Sequence, residues 1–319
     1  MRVVPKTLPR ALLACLGAVA LLTSAVAAAA AQPSASSARS PSPRSIVSTL
    51  NIKENVALNV LLPAAIRQSG TLTIATDPEN PPYESYNANN TQMVGADIDL
   101  ASAIAEVLGL KPSFTAIGFA GIIPALEAGR FDIAIASMGD TPAREQQVSF
   151  VDYSTDGNAI IVKDGNPDNI TSMANLCGKK VAVLQGSVML GLVTTQNSSC
   201  PKSKQIAIGV FPSQSAAYLA VQAGRDDATL TDAAVASNFI ATQHTLKLEV
   251  VTSHLYGEGY NAIPIKKSNI ALMLCVQQAL MRLMANGDYK TILASWSMAA
   301  GGIQWPYVND GLRFNQPTG

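Results

Sequence analysis

The chain has few of the groups on which most enzyme chemistry depends. It holds 2 histidines in 319 residues, His244 and His254. Neither follows a predicted strand beside a carboxylate partner, so both read as surface or structural side chains rather than as general bases. No cysteine or histidine pair has metal-ligand spacing, and neither a metal nor a cofactor is expected. A phosphate-cradling G-x-x-x-x-G-K-S/T stretch is absent, and so is a G-x-S-x-G elbow. Charge is scarce as well: 14% of residues carry it, 22 basic against 22 acidic. Setting Arg2, Lys6 and Arg10 aside leaves a net charge of −3, which gives no electrostatic reason to expect nucleic acid or an anionic membrane surface as partner.

Apolar residues are plentiful, at 48%. Part of this excess lies in residues 1–31, where the three cations precede "ALLACLGAVALLTSAVAAAAAQPS", ending in small residues fit for cleavage. The rival reading is an uncleaved anchor, because Ala11 to Ala31 is long enough to span a bilayer. Cys15 follows only four apolar residues, too early for lipid attachment. Either way the functional part is exported, to the periplasm or the outer face of the membrane. No later segment has the length and apolarity to cross a bilayer. Cys177 and Cys200 flank one strand-turn-helix unit, and export permits a disulfide between them. Cys275, among apolar neighbours at helical spacing, reads as a buried thiol. Two other pairings remain formally possible.

After a Pro/Ser/Ala-rich linker, set at 32–56, "NVALNVLLPAAIRQSG" reads as a short helix closing at Gly70. Strands and helices then alternate, from "TLTIAT" to two closing helices near 268–286 and 287–298. Such alternation predicts an α/β architecture with largely parallel sheets, and about 250 residues of it predict two lobes. Open parallel sheets bind ligands at their strand exits.

Four exits carry polar residues. "ATDPENPPYES" places Asp77, Glu79, Asn80 and Glu84 on a stiff Pro-rich loop. "ASMGDTPAREQQVSF" puts Ser137 at a strand end, then Thr141 and Pro142 as N-cap and first residue of a helix, then Arg144 in its first turn. A cation there opposes the helix dipole, and an anionic ligand would benefit from both. "VLQGSVML" offers Gly186 and Ser187 at a turn into a helix, where backbone N–H groups can donate to a carboxylate. "ATLTDAAVASNF" places Asp232 at a helix start, as a cap or as the partner of a ligand ammonium. With Arg144 it would complete a zwitterion clamp.

These exits, in this order, resemble the extracellular solute-binding proteins of family three, the polar amino-acid receptors of ABC importers. The resemblance covers about 60 to 310 and includes "VGADIDLASAIAEVLGL", "FAGIIPALEAGRFDIAIASMGDTPAREQQVSFVDY", "LCGKKVAVLQGS" and "MANGDYKTILASW". It implies a two-lobed periplasmic-binding-protein-like fold of type II with two hinge crossovers, near 155–161 and 253–260. The implied division is lobe 1 at 57–158, lobe 2 at 159–254, and a return with C-terminal tail at 255–319. Arg144 would bind the α-carboxylate of an amino acid, aided by Ser137, Thr141, Gly186 and Ser187. Asp232 would bind the ammonium, Phe119 would pack on the ligand, and Asp77 would meet its side chain. Asn80 stands where many members carry an aromatic, Gly139 and Asp140 are atypical, and Val188 replaces a frequent threonine. The implied protein is a monomer that delivers its amino acid to a membrane permease and is not an enzyme. Two alternatives are a dehydratase on the same fold, with Glu79 and Glu84 as acid and base, and a detached sensory domain.

Overall fold

The computed structural model describes residues 45–242 and 246–313, without the side chains of Thr252 and Ser253. The export segment, most of the linker and His244 lie outside these residues.

α1 (Val56–Leu61) starts where the Asn55 side chain accepts the Leu58 N–H at 3.3 Å. α2 (Ala64–Ser69) ends on Gly70, whose φ of 64° is the usual left-handed stop. The one helix expected here is therefore two. Pro63 has no N–H to give, and it forces Leu62 into extended backbone.

The elements that follow are β1 (Thr71–Thr76), β2 (Glu79–Asn80), β3 (Glu84–Tyr86), β4 (Met93–Val94) and α3 (Ala96–Val107). Then come β5 (Lys111–Ala116), α4 (Ile122–Glu127), β6 (Ile133–Ala134), α5 (Pro142–Glu145) and β7 (Val148–Lys163). Next are β8 (Lys180–Leu184), α6 (Val188–Ser199), β9 (Ala207–Phe211), α7 (Gln214–Gln222) and β10 (Ala228–Asp232). α8 (Ala233–Thr242), β11 (Leu248–Lys266), α9 (Ile270–Asn286) and α10 (Asp288–Ser295) close the series.

Eight strands form one sheet in the order β5-β1-β6-β11-β7-β10-β8-β9. β1 lies parallel to β5 and β6, and β8 lies parallel to β9 and β10. The middle is different. β7 and β11 run antiparallel to each other over most of their length, and to the strands beside them, so the sheet is mixed rather than largely parallel. Antiparallel neighbours need no crossover helix, which lets two long strands pass directly between the two ends of the sheet.

Each end has its own core. Leu72, Ile74, Ile104 and Ile263 belong to one, with α3, α9 and α10 packed on it. Ile160, Val181, Val183 and Leu230 belong to the other. The architecture is two-lobed, and β7 and β11 contribute to both cores. A third cluster of Phe119, Ile122, Met138 and Phe150 takes in Leu184 from β8.

The expected crossover segments fall inside these two strands. β11 breaks register with β7 between Val251 and Tyr256, between Tyr256 and Gly259, and between Asn261 and Ala262. Gly257 sits among these breaks with φ 57°, and a Cβ there would come within 2.9 Å of Leu192 Cδ1. After α10 the chain returns along β7: Asp152 N–H donates to Tyr307 O at 2.9 Å, and Asn309 Oδ1 accepts from Phe150 N–H at 2.8 Å.

Cys177 and Cys200 are joined in a disulfide that ties the start of β8 to the end of α6. Cys275 is a buried free thiol. Among the described residues no single helix is long and apolar enough to cross a membrane.

Candidate functional site

The exits of β6, β8 and β10 converge with the loop after β1 on one small cavity. Asn80, Phe119, Ser137, Arg144, Ser187 and Asp232 all line it. Arg144 and Asp232, 88 positions apart, thus face the same space.

Local structure explains how each side chain is held. Thr141 caps α5 by accepting the Arg144 N–H at 3.3 Å, and Pro142 occupies the first helical position. Ser137 has a φ of 42°, an uncommon conformation for a residue with a Cβ. It is fixed by its N–H donating to Asp97 Oδ2 at 2.9 Å, an oxygen that also accepts Tyr153 Oη at 2.8 Å. Gly186 has φ 76°, and a Cβ there would lie 3.4 Å from Ala120, so the turn before α6 favours glycine. Ser187 caps α6 through Leu190 N–H at 3.4 Å.

Arg144 spans the cavity. Its Nη1 donates to Gly139 O at 2.6 Å and its Nη2 to Gly186 O at 2.8 Å, while its guanidinium lies 5.5 Å from the centre of the Phe119 ring. Burial lowers its pKa to about 10, with Asp140 and Asp232 opposing, so it stays cationic at neutral pH. Asp232 accepts the Ser137 hydroxyl at 3.3 Å. Its pKa is raised well above the ordinary carboxylate value, first by burial and then by the charge of Asp156.

The capping role open to Asp232 falls to another residue. The Ala234 N–H in the first turn of α8 donates to Asp156 Oδ2 at 3.2 Å. Asp232 is left to face the cavity.

Three expected residues stand beside the cavity rather than on it. Thr141 acts through the cap, and Gly186 through its carbonyl. Asp77 accepts the Phe119 N–H at 3.1 Å, and its pKa is raised to about 6 by burial and then by Glu79. Asp140 and Glu84 are buried away from it. Asp140 is paired with Asp152, and Glu84 is fully buried beside Asp97.

Gln214 was not expected. It opens α7, is buried, and donates Nε2 to Leu230 O at 3.0 Å, which leaves Oε1 without a partner at the cavity wall. Because the carbonyl can only accept, the amide orientation follows from chemistry. The signal was the "FPSQSAAYLAVQAG" exit, where Ser213 caps α7 directly before Gln214.

The cavity itself measures about 20 Å³. That volume suits roughly one water, so anything larger requires the lobes to part. Among the described residues, polar contacts that join the rims include Arg144 to Gly186, Ser137 to Asp232, and the Ser215 N–H to Glu79 Oε2 at 3.3 Å. Among the described residues no group of three or more His, Cys, Asp or Glu is arranged to hold a metal ion.

Comparison with known proteins places the chain in a family. The model of bacterial extracellular solute-binding proteins, family 3, matches residues 72–299. A putative ABC transporter arginine-binding protein 2 of Escherichia coli K12 is 32% identical over 229 residues, covering 71% of this chain and 90% of that one. The structure of an ancestral arginine-binding protein bound to arginine superposes with a TM-score of 0.66 at 36% identity, over 71% of this chain and 98% of the other. An ancestral amino acid-binding protein, described as a precursor of cyclohexadienyl dehydratase, gives a TM-score of 0.65 at 32% identity, covering 73% and 97%.

Proposed function

Because the chain belongs to the bacterial extracellular solute-binding proteins, family 3, we propose that it is the exported receptor of an ABC importer, closing on a polar or cationic amino acid and passing it to a membrane permease. The observation that carries this reading is that Arg144 and Asp232 line the same cavity. The guanidinium grips the α-carboxylate through its fork, and Asp232 takes the ammonium. Both side chains are buried here without a direct ion pair, an arrangement that suits a zwitterion at both ends.

The other wall favours a side chain that donates hydrogen bonds. Gln214 Oε1 is a fixed acceptor, Asn80 is polar, and Asp77 and Glu79 add negative charge at the first exit. A guanidinium or ammonium suits these groups better than an apolar chain. The names of the relatives, arginine-binding among them, point the same way.

Movement is part of the reading. We take β7 and β11 as the hinge, bending where β11 loses register, with lobe 1 at 57–158 and 255–319 and lobe 2 at 159–254. Closure is favoured because both lobes contact the ligand.

Calorimetric titration of the purified protein against the common amino acids tests the assignment. Binding should appear for a cationic or polar amino acid and disappear in Arg144→Ala. Retained micromolar binding in that variant overturns the site. Consumption of a carboxylic substrate without saturable amino-acid binding would instead favour an enzyme on this fold.

A further inference from the structure

A second, far larger cavity shares no lining residue with the cleft. It measures about 740 Å³, within the roughly 300–1,000 Å³ typical of small-molecule sites. Tyr86 and Met298, Ala234 and Ser237 of α8, and Leu255 and Glu258 of β11 at its register breaks all line it. Both lobes and one hinge strand therefore contribute walls.

The linings of this cavity and of the cleft are adjacent in the chain. Asn80 and Asp232 line the cleft, while Pro81 and Ala233, next to them in the chain, line the cavity. Asp156 lines the larger cavity. Its Oδ2 accepts from Tyr83 Oη at 2.7 Å and from Ala234 N–H at 3.2 Å, and Tyr83 Oη in turn accepts from Asn261 Nδ2 at 2.9 Å.

The chemistry of the walls selects an occupant. Most of the surface is apolar, with the Tyr86 ring and the Leu255 side chain exposed on it. Among the described residues, the charged side chains lining it are Asp156 and Glu258, and none is cationic. We propose that this cavity is a second ligand site, taking a small aromatic ammonium whose ring lies against the apolar walls and whose charge meets the two carboxylates. Since the walls belong to both lobes, the cavity changes shape when the lobes move. An occupant with unequal affinity for the two shapes shifts the closure equilibrium by that difference.

The test is calorimetric titration of the whole protein with 1-naphthylmethylamine and with its neutral counterpart, 1-naphthalenemethanol. The amine should bind saturably at one site, with the alcohol weaker by about tenfold, as expected for loss of a charge-assisted contact. Ser237→Trp, at an exposed position of α8, fills the cavity and should abolish amine binding while leaving amino-acid binding intact. Glu258→Gln should weaken the amine severalfold. No saturable binding, equal binding of the alcohol, or indifference to Ser237→Trp overturns the site. Loss of amine binding in Arg144→Ala also overturns it, because the probe would then occupy the cleft. The link to closure is read without any amino acid, by energy transfer between dyes on α6 and α9. Saturating amine should change the transfer efficiency, and an unchanged value overturns the link.

Discussion

If Asp232 takes a ligand ammonium as proposed, its contributions to folding and to binding oppose each other. Burial and the charge of Asp156 push its pKa up, so holding it ionised costs the folded protein free energy. A ligand ammonium offsets that cost. Asp232→Asn should therefore raise the melting temperature of the ligand-free protein while weakening amino-acid binding by roughly 10- to 150-fold, the equivalent of about 1.5–3 kcal/mol for a charge-assisted hydrogen bond. Scanning calorimetry and titration of the one variant check both signs. Asp77 makes a second test through pH. Its pKa of about 6, raised by burial and then by Glu79, lies close to neutrality. If it faces a cationic side chain, affinity for arginine should fall as pH drops through 6, because protonation removes the charge that attracts the ligand. Asp77→Asn should bind more weakly at pH 7 and lose that dependence. Both residues drew attention in the sequence because a charge at a strand exit is conspicuous in a chain so poor in charge, though only Asp232 lines the cavity. Gln214 drew none, since an uncharged residue in the first turn of a helix has many bland explanations. Asp140 shares the Arg144 stretch but is buried beside Asp152.

The long strand β7 shows why elements can escape a reading by pattern. "VSFVDYSTDGNAIIVK" carries Asp152, Ser154, Asp156 and Asn158 at alternate positions, which looks like an exposed face. Yet Asp152, Ser154 and Asn158 are buried, because the chain returning after α10 and the Tyr83 layer cover that side. Only tertiary packing reveals this. The strand also predicts a pH effect. Asp152 has its pKa raised from the ordinary 3.8 to about 9, by burial first and then by Asp140, with Asp310 and Glu145 adding to it. Asp140 is raised to about 7. The folded chain thus holds protons that the unfolded chain releases near pH 4, and stability declines as pH rises from about 4 towards 9. Asp152→Asn should flatten the decline and raise the melting temperature at pH 8 more than at pH 5. An equal effect at both pH values would contradict it. At the other end of the sheet, the Cys177–Cys200 disulfide closes a loop with a sequence separation of 23. That closure contributes about 3 kcal/mol. Its double serine variant should melt roughly 6–12 °C lower, at about 2–4 °C per kcal/mol for a domain of this size.

Between the lobes, the architecture was legible further than its connections. Alternating strands and helices announced α/β lobes, and the order of the exits announced the cleft. The crossovers near 155–161 and 253–260 were expected, but not that each lies within one long strand, because "LEVVTS" and "NAIPIKK" look like separate strands across a Gly-containing segment. In the fold they are one β11, broken only in register. Such breaks keep the strand continuous while loosening its pairing with β7, which suits bending better than a flexible loop would. Closure then depends on the contacts that bridge the rims. Glu79 accepts the Ser215 N–H in the first turn of α7, beyond the reach of the Ser213 cap, which serves Ala216. Free N–H groups and the dipole both favour a carboxylate there, by roughly 1 kcal/mol at most. The contact exists only when the lobes are together, so its whole worth falls on the closed state. Glu79→Ala should lower the closed-to-open ratio of the ligand-free protein by about fivefold, the equivalent of that 1 kcal/mol. Energy transfer between dyes on α6 and α9 reports the ratio, and amino-acid affinity should weaken by no more than the same factor. A ratio that does not move would remove Glu79 as a latch and leave closure to Arg144 and Ser137.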